Sequence, residues 1–393
     1  MLARAKMESI CALVTDGTHD SPKLQPSGVP FIKGKHISQG YVDFATCDFI
    51  TEADHAEACR RVKPRVGDVL FSNIGSVGDT ARVSVDREFS IKNVALFRPD
   101  PTKVDPRYFY YLVVNPRFKE SMLSLRSGSA QPFITLGSLR GYETGYHTDR
   151  DQQRRIASIL SAYDDLIENN TRRIAILEEM ARRIYEEWFV RFRFPGHEGV
   201  RMVESELGLV PEGWRVVEVQ KIVRRLPAGA VYKQVDVGEA GSIPVIDQSS
   251  AELLGFHSGE PAHRATPGSP VVIFGDHTCK MQLMVVPFSL GPNTVPFVAE
   301  QLPVHYVYAL VRGLVSTHEY KRHWSDLMKK KVLVSDDVLA ENYAMLVQPM
   351  AELIECLRRV SRNLRSTRDE LLPRLIAGEL DVSAMPEPEA LVA

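Results

Sequence analysis

From Asp151 to Phe192 the chain contains no glycine or proline, and apolar positions recur at alternating steps of three and four: Ile156, Leu160, Tyr163, Ile167, Asn170, Ile174, Leu177, Ala181, Ile184, Trp188. This is a heptad seam with one polar interruption, Asn170. At about 1.5 Å per residue the predicted helix would span roughly 60 Å, far more than a globular domain needs. It should stop at Phe194-Pro195-Gly196, where proline and glycine end helices. A second seam runs through Tyr343, Val347, Met350, Ile354, Leu357, Ser361, Leu364, Arg368, Leu371 and Leu375, and the triplet Leu166-Ile167-Glu168 recurs in it as Leu353-Ile354-Glu355. Ser361 and Arg368 put polar groups where the first helix has Ile174 and Ala181. Pro349 predicts a kink or break near the first turns of the second helix, and Gly378 its end. A lone heptad helix leaves an apolar stripe in water, whereas two of similar length bury each other's stripes. If the segment between them folds back as a compact domain, they pair antiparallel.

The segments ahead of each helix share a layout. In the first, short β-rich runs (Val29-Pro30-Phe31-Ile32, Asp68-Val69-Leu70-Phe71, Val94-Ala95-Leu96-Phe97) precede a predicted helix from Pro106 to Leu125. In the second, Ile243-Pro244-Val245-Ile246 and Pro270-Val271-Val272-Ile273-Phe274 precede a predicted helix near Val304–Leu314. The expected organisation is a first α+β domain at 1–149, a central spacer helix at 150–194, a second α+β domain at 199–335, a C-terminal spacer helix at 336–378 and a tail at 379–393. The fold class expected is therefore α+β, two domains separated by two long helices that pair as an antiparallel coiled coil.

Composition narrows the function classes. The chain has 393 residues, 44% hydrophobic and 25% charged, which is the balance of a globular protein with more than one core. No apolar run is long enough for a membrane span, and Met1-Leu2-Ala3-Arg4-Ala5-Lys6 lacks a signal-peptide stretch, so the expected location is cytoplasmic with no membrane partner. The five cysteines include no Cys-x-x-Cys pair and are odd in number, against both a zinc site and a disulfide framework. The net charge of −2 at first disfavours nucleic acid, but the acidic excess lies beyond residue 336 and the rest of the chain is near balance. A DNA binder of this composition must gather its cations on one face.

An ordered set of short motifs runs through both halves. The first half carries Asp16-Gly17-Thr18-His19, Gly28-Val29-Pro30-Phe31-Ile32 and Gly67-Asp68-Val69-Leu70-Phe71, followed by Gly75-Ser76-Val77-Gly78. Gln152-Gln153-Arg154-Arg155-Ile156-Ala157 and Trp188-Phe189-Val190-Arg191-Phe192 lie on the first long helix. Pro211-Glu212-Gly213-Trp214 opens the second half, Phe274-Gly275-Asp276-His277-Thr278 follows, and Leu371-Leu372-Pro373-Arg374-Leu375-Ile376-Ala377-Gly378-Glu379-Leu380 closes the second helix. The set resembles the specificity (S) subunits of type I restriction–modification enzymes over nearly the whole chain. One departure is that the first domain lacks the Pro-x-Gly-Trp opening, so its edge is expected at Ser9-Ile10-Cys11.

The resemblance implies a non-catalytic DNA-recognition subunit. Each α+β domain would be a target-recognition domain reading a few base pairs of double-stranded DNA, and the helices would set the gap between two half-sites. Two modification (methyltransferase) subunits would dock on the scaffold and use S-adenosylmethionine. Restriction subunits would join with ATP and Mg, and this chain would hold no cofactor or metal of its own. The residues agree with that absence of chemistry. No Gly-x-x-x-x-Gly-Lys-Ser/Thr phosphate loop is present, Asn115-Pro116-Arg117-Phe118 lacks the second proline of an adenine-methyltransferase motif, and His197-Glu198 has no zincin partner. The rivals are a self-contained methyltransferase or nuclease, and a coiled-coil protein-interaction scaffold.

Base contacts need amide, hydroxyl or cationic side chains on exposed edges, while phosphate contacts need cations or free N–H groups. In the first domain the candidates are Thr18, His19, Lys33, Lys35, Ser72, Asn73, Ser76, Lys92 and Asn93, with the loop residues Arg126, Ser127, Ser129 and Gln131. In the second they are Gln248, Ser249, Asp276, His277, Thr278, Lys280, Asn293 and Thr294, with Lys329, Lys330 and Lys331 as the densest basic run. Each also has an ordinary reading: Asp-Gly and Ser-Gly stretches make turns, and a lysine run is commonly a solvated face.

Overall fold

The structure, a computed structural model, describes residues 2–38, 40–75, 77–126, 132–249, 253–317 and 321–383. The chain divides into two compact units, Met1–Ile167 with Asn363–Ala393, and Glu168–Arg362. Each unit contains one α+β lobe and a portion of both long helices.

In the first unit, β1 (Leu2–Lys6), α1 (Met7–Ile10), β2 (Cys11–Asp16), β3 (Val29–Ile32), β4 (Ile37–Ser38), β5 (Tyr41–Val42), β6 (Asp48–Ile50), α2 (Glu52–Arg61), β7 (Val69–Phe71), β8 (Thr80–Arg82), β9 (Ser90–Ile91), β10 (Ala95–Pro99), α3 (Pro106–Val114), α4 (Pro116–Ser124), α5 (Leu136–Gly141) and β11 (Glu143–His147) lead into α6 (Arg150–Tyr185). A four-stranded antiparallel sheet has the order β2-β10-β7-β8, and a second sheet the order β6-β3-β9, where β3 is antiparallel to β6 and parallel to β9. Alternate residues of the central strands face different cores. Val69, Phe71, Ala95 and Phe97 join one that includes Ile156 and Leu160 of α6, while Leu70 and Leu96 join another with Ile32, Phe89 and Ile91. Burial on both faces is why these strands read as unbroken apolar runs.

The second unit repeats this plan. After a hairpin of β12 (Met202–Ser205) and β13 (Gly208–Pro211) come β14 (Arg215–Glu218), β15 (Val223–Arg225), β16 (Ile243–Ile246), β17 (Leu253–His257), β18 (Val271–Gly275), β19 (Met281–Met284), β20 (Ser289–Leu290), β21 (Thr294–Ala299), α7 (Val304–Val311), α8 (Trp324–Met328), β22 (Lys331–Val334) and α9 (Asp337–Ile376). Its sheets have the orders β15-β21-β18-β19 and β17-β16-β20, again with one antiparallel and one parallel neighbour for the middle strand of the smaller sheet. The entry strand of each lobe pairs antiparallel with its exit strand: β1 with β11, β14 with β22.

The helices pair antiparallel in each unit. In the second, Asn170 Nδ2 donates to Ser361 Oγ (3.2 Å), Arg358 meets Glu178 (3.0 Å) and the Tyr343 hydroxyl donates to the Ala181 carbonyl (3.2 Å), so positions descend on α9 as they rise on α6. Asn170 and Ser361, two of the three polar interruptions of the seams, are thus bonded to one another. In the first unit the buried-side partner of Arg368 is Asp164.

Four expectations change. The helix predicted over Pro106–Leu125 is two helices, because Asn115 sits outside helical geometry before Pro116 and its Oδ1 accepts the Arg117 N–H (3.0 Å), restarting the helix. Pro349 does not break α9, which is continuous. Pro349 lies on the exposed side, so the carbonyl it leaves unbonded faces water. The first long helix ends its regular part at Tyr185 and continues as a π turn, Glu186–Val190, that carries Phe189 into the second core. The first lobe begins before Ser9, since Leu2–Lys6 already fills the place that Arg215–Glu218 holds in the second. Gly378 does end α9: at φ 70° it donates to Leu375 O (3.1 Å), and Glu379 N donates to Arg374 O (2.9 Å), a Schellman closure.

Candidate nucleic-acid interface

In each lobe three segments converge: in the first the segment after β2, the end of β3 and the turn before β10, and in the second the loops after β16 and β18 and the turn before β21. In the first lobe Lys92 N donates to Ile32 O (2.9 Å), Asn93 N to Thr18 O (3.2 Å) and Thr18 N to Ile91 O (3.0 Å). Asn93 takes a left-handed conformation (φ 51°), which Asn tolerates better than most side chains. Its Oδ1 lies 2.8 Å from His19 Nδ1, and His19 Nε2 lies 3.3 Å from the buried Asp16 carboxylate. Thr18, His19, Lys92 and Asn93 are therefore one cluster. The Thr18 hydroxyl is turned to Asp20 and the Lys92 ammonium to Ser21. Arg61, which the sequence reading did not single out, donates from Nε to Asp16 Oδ1 (2.8 Å).

Lys33 and Lys35 share Asp48, at 2.8 and 3.6 Å. The hydrogen bond from Lys33 holds the Asp48 carboxyl below its usual range, while burial, aided by Lys35, pushes the His36 imidazole down. Ser72 is buried and its Oγ accepts the Asp79 N–H (2.9 Å). Asn73 is also buried, its Nδ2 donating to Ile134 O (3.2 Å). Arg126 is exposed. Ser76, Ser127, Ser129 and Gln131 lie outside the described residues.

The second lobe gathers its candidates more closely. His277 N donates to Gln248 Oε1 (3.0 Å), the Thr278 hydroxyl to Gln248 O (2.9 Å) and the Lys280 ammonium to Ser249 O (3.3 Å). A Cβ on Gly275 would lie 2.8 Å from that of Gln248, so glycine is what lets these loops approach. Asn293, left-handed at φ 58°, accepts the Asp276 N–H on its carbonyl (2.9 Å), and the Thr294 hydroxyl donates to Gly291 O (2.6 Å). The lysine triplet divides. Lys331 points from β22 to Glu206, whereas Lys329 and Lys330 line an open cavity of about 560 Å³ with Leu314, Val315, Ser316, Lys321, His323 and Asp326, whose carboxylate pairs with Lys321 (3.4 Å). Lys321 and the neighbouring Arg322 were missed, although Lys321-Arg322-His323 is itself a short basic run.

Among the described residues no group of three or more His, Cys, Asp or Glu could hold a metal ion, and no helix is long and apolar enough to cross a membrane. The arrangement offers amides, hydroxyls and cations on loop ends over a rigid sheet, which suits polar recognition.

Comparison with known proteins agrees. The family model of the type I restriction modification DNA specificity domain matches residues 6–179. The type I restriction enzyme MjaIX specificity subunit of Methanocaldococcus jannaschii is 25% identical, over 93% of this chain and 88% of its own. The chain is similar to type I restriction–modification specificity subunits over nearly its whole length. The HindI specificity subunit of Haemophilus influenzae is 27% identical over 32% of this chain and 28% of its own length. The fold matches that of the crystallised type I S subunit from M. genitalium, with TM-score 0.60, 15% identity and 96% of both chains covered.

Proposed function

We propose that this chain is a type I specificity subunit that reads a bipartite DNA target, one half with each α+β lobe, and itself performs no catalysis. The observation that carries the reading is the convergence, in both lobes, of three polar segments at the ends of sheet strands. In this reading residues 1–149 and 199–335 are the target-recognition domains, 150–194 and 336–378 the spacers that set the unread gap, and 379–393 a tail. Two modification subunits bring S-adenosylmethionine, and restriction subunits bring ATP and Mg. The complex works on double-stranded DNA in the cytoplasm. Docking of the modification subunits is supported by a second apolar stripe on α9, where Val338, Met345, Leu346, Leu353 and Val360 are exposed at near-heptad spacing on the side not used by α6.

The test is to map methylated sites in cells carrying the full system. Two short sequences at fixed spacing are expected. Methylation by the purified chain without a modification subunit would favour a self-contained enzyme, and methylation without sequence preference would favour a mere scaffold. In the assembled complex, replacing Lys329 and Lys330 with alanine should weaken binding to all sequences alike and flatten the salt dependence by about two counterions. Lys331→Ala should do less, because its ammonium is already paired with Glu206.

A further inference from the structure

We propose that Asp276 is a positioning residue, not a base contact: it fastens the segment that returns after α7 to the end of the central strand, so that the loops of the second lobe meet DNA as one unit. The proposal rests on the recognition reading above. Asp276 follows β18 directly and its side chain is 11% exposed. One carboxylate oxygen, Oδ1, accepts the N–H groups of His323 (3.1 Å) and Trp324 (2.9 Å), at the start of α8. The other, Oδ2, faces Arg322 Nε at 3.8 Å. The backbone joins in, because Asp276 O accepts the His323 N–H (2.8 Å) and Asp276 N donates to Asn293 O (2.9 Å). The next residue extends the tie: His277 Nδ1 lies 3.0 Å from Lys321 O, and His277 O accepts the Thr317 hydroxyl (3.3 Å).

One residue thus joins the central strand, the turn before β21 and the returning segment. That segment bears Lys321 and Arg322, and α8 leads from it to Lys329 and Lys330. The Asp276 carboxylate is largely buried, with Oδ1 taken by two N–H groups and Oδ2 facing a guanidinium, which suits a tie.

The first lobe does the same with an amide. Asn73, two residues past β7, donates from Nδ2 to Ile134 O (3.2 Å) and accepts the Ile134 N–H on its backbone carbonyl (2.8 Å), and Gly75 N donates to Pro132 O (2.9 Å). Asn73 therefore ties the central-strand loop to the stretch that follows Arg126.

The experiment uses the subunit assembled with its modification subunits. It compares methylation of the cognate duplex with duplexes carrying one altered base in either half-site. Asp276→Ala should lower discrimination about tenfold in one half-site and leave the other intact, at unchanged melting temperature of the first unit. Asp276→Asn keeps an oxygen for the two N–H groups and should retain most of the discrimination. Asn73→Ala should mirror Asp276→Ala in the opposite half-site. Unchanged discrimination in Asp276→Ala, equal loss in both half-sites, or a switched preferred base in Asp276→Asn would each overturn the proposal; the last would make the carboxylate a direct reader. If the wild-type complex shows no preference in either half, the recognition reading fails first and this one with it.

Discussion

In the first lobe the Tyr108 hydroxyl, on α3, accepts the His147 N–H at the end of the exit strand (3.1 Å). In the second the Tyr306 hydroxyl, on α7, accepts the Ser335 N–H at the same place in the plan (3.1 Å). Both lobes pack apolar side chains against their portions of the helix pair, and to that shared core and bond each adds different contacts. The first uses polar groups: Tyr111 donates to Asp164 (2.6 Å), Arg368 pairs with the same carboxylate, His147 Nε2 lies 3.0 Å from Leu375 O, and the fully buried Gln153 bridges Asp105 N (2.7 Å) and His147 O (2.6 Å). The second uses rings: Phe189 packs at 4.8 Å from Tyr306, 5.4 Å from Tyr343, 5.2 Å from Tyr185 and 5.8 Å from Trp214. A duplicated topology has kept its backbone plan and exchanged its fastening. Strand order depends on the alternation of apolar residues, whereas the fastening depends on a few side chains.

The largest test of that contrast is Phe189→Ala. Removing a buried ring that touches four others should cost the second unit about 3–5 kcal/mol, read by denaturant unfolding or hydrogen exchange of its core. Loss spread equally over both units would break the comparison. Next comes Arg368→Ala, which leaves Asp164 half-buried with only Tyr111 as partner and should cost the first unit about 1–3 kcal/mol. Replacing Arg368 and Asp164 together by Met and Leu should recover most of that, because the desolvation of both charges is removed along with their attraction. Failure to recover would mean the pair does more than satisfy itself.

The repeat was legible because period-two and heptad patterns survive in sequence. Val69-Leu70-Phe71 and Val271-Val272-Ile273-Phe274 announce buried strands, and the steps of three and four announce α6 and α9. The fastening was not legible. Arg368 read as a flaw in a seam, since its partner Asp164 is on the other helix, and Asn170 and Ser361 were two separate interruptions until they met. The continuity of α9 through Pro349 was hidden because a proline's cost depends on whether its orphaned carbonyl reaches water. At the candidate interface the loops were visible as Gly-, Asn- and Ser-rich stretches, but not their mutual bonds. Asp276 stands among polar, turn-forming neighbours in the sequence, and only the returning segment shows where its carboxylate goes. Lys331 looked like its two neighbours, yet it opens β22 and turns to Glu206, while Lys329 and Lys330 lie between α8 and the strand.

Acid should separate the lobes by a smaller margin. Burial lowers the pKa of His305 and His263 in the second lobe and of His36 in the first; Glu352 opposes the shift of His305 only in part. A histidine with a lowered folded pKa binds fewer protons than in the unfolded chain. Its contribution is therefore complete above the unfolded value, about 6.5, and is lost as pH falls through the folded value. With two such groups against one, the second lobe should lose protection faster on acidification. His305→Gln should flatten that dependence without moving the first lobe's, as followed by hydrogen exchange at a series of pH values.

The smallest effect belongs to Arg358, whose pair with Glu178 crosses the helix seam in the second unit. Both side chains are about two-fifths exposed, so water screens the attraction and holding two long side chains in one geometry costs rotamer entropy. Arg358→Ala should therefore change stability by less than about 1 kcal/mol, and the change should vanish in high salt. The Arg368 pair, less exposed and sharing its carboxylate with a tyrosine, should keep most of its effect under the same salt. Equal salt sensitivity at the two arginines would mean that the first unit's polar fastening is a surface feature after all, and that burial does not distinguish it from an ordinary ion pair.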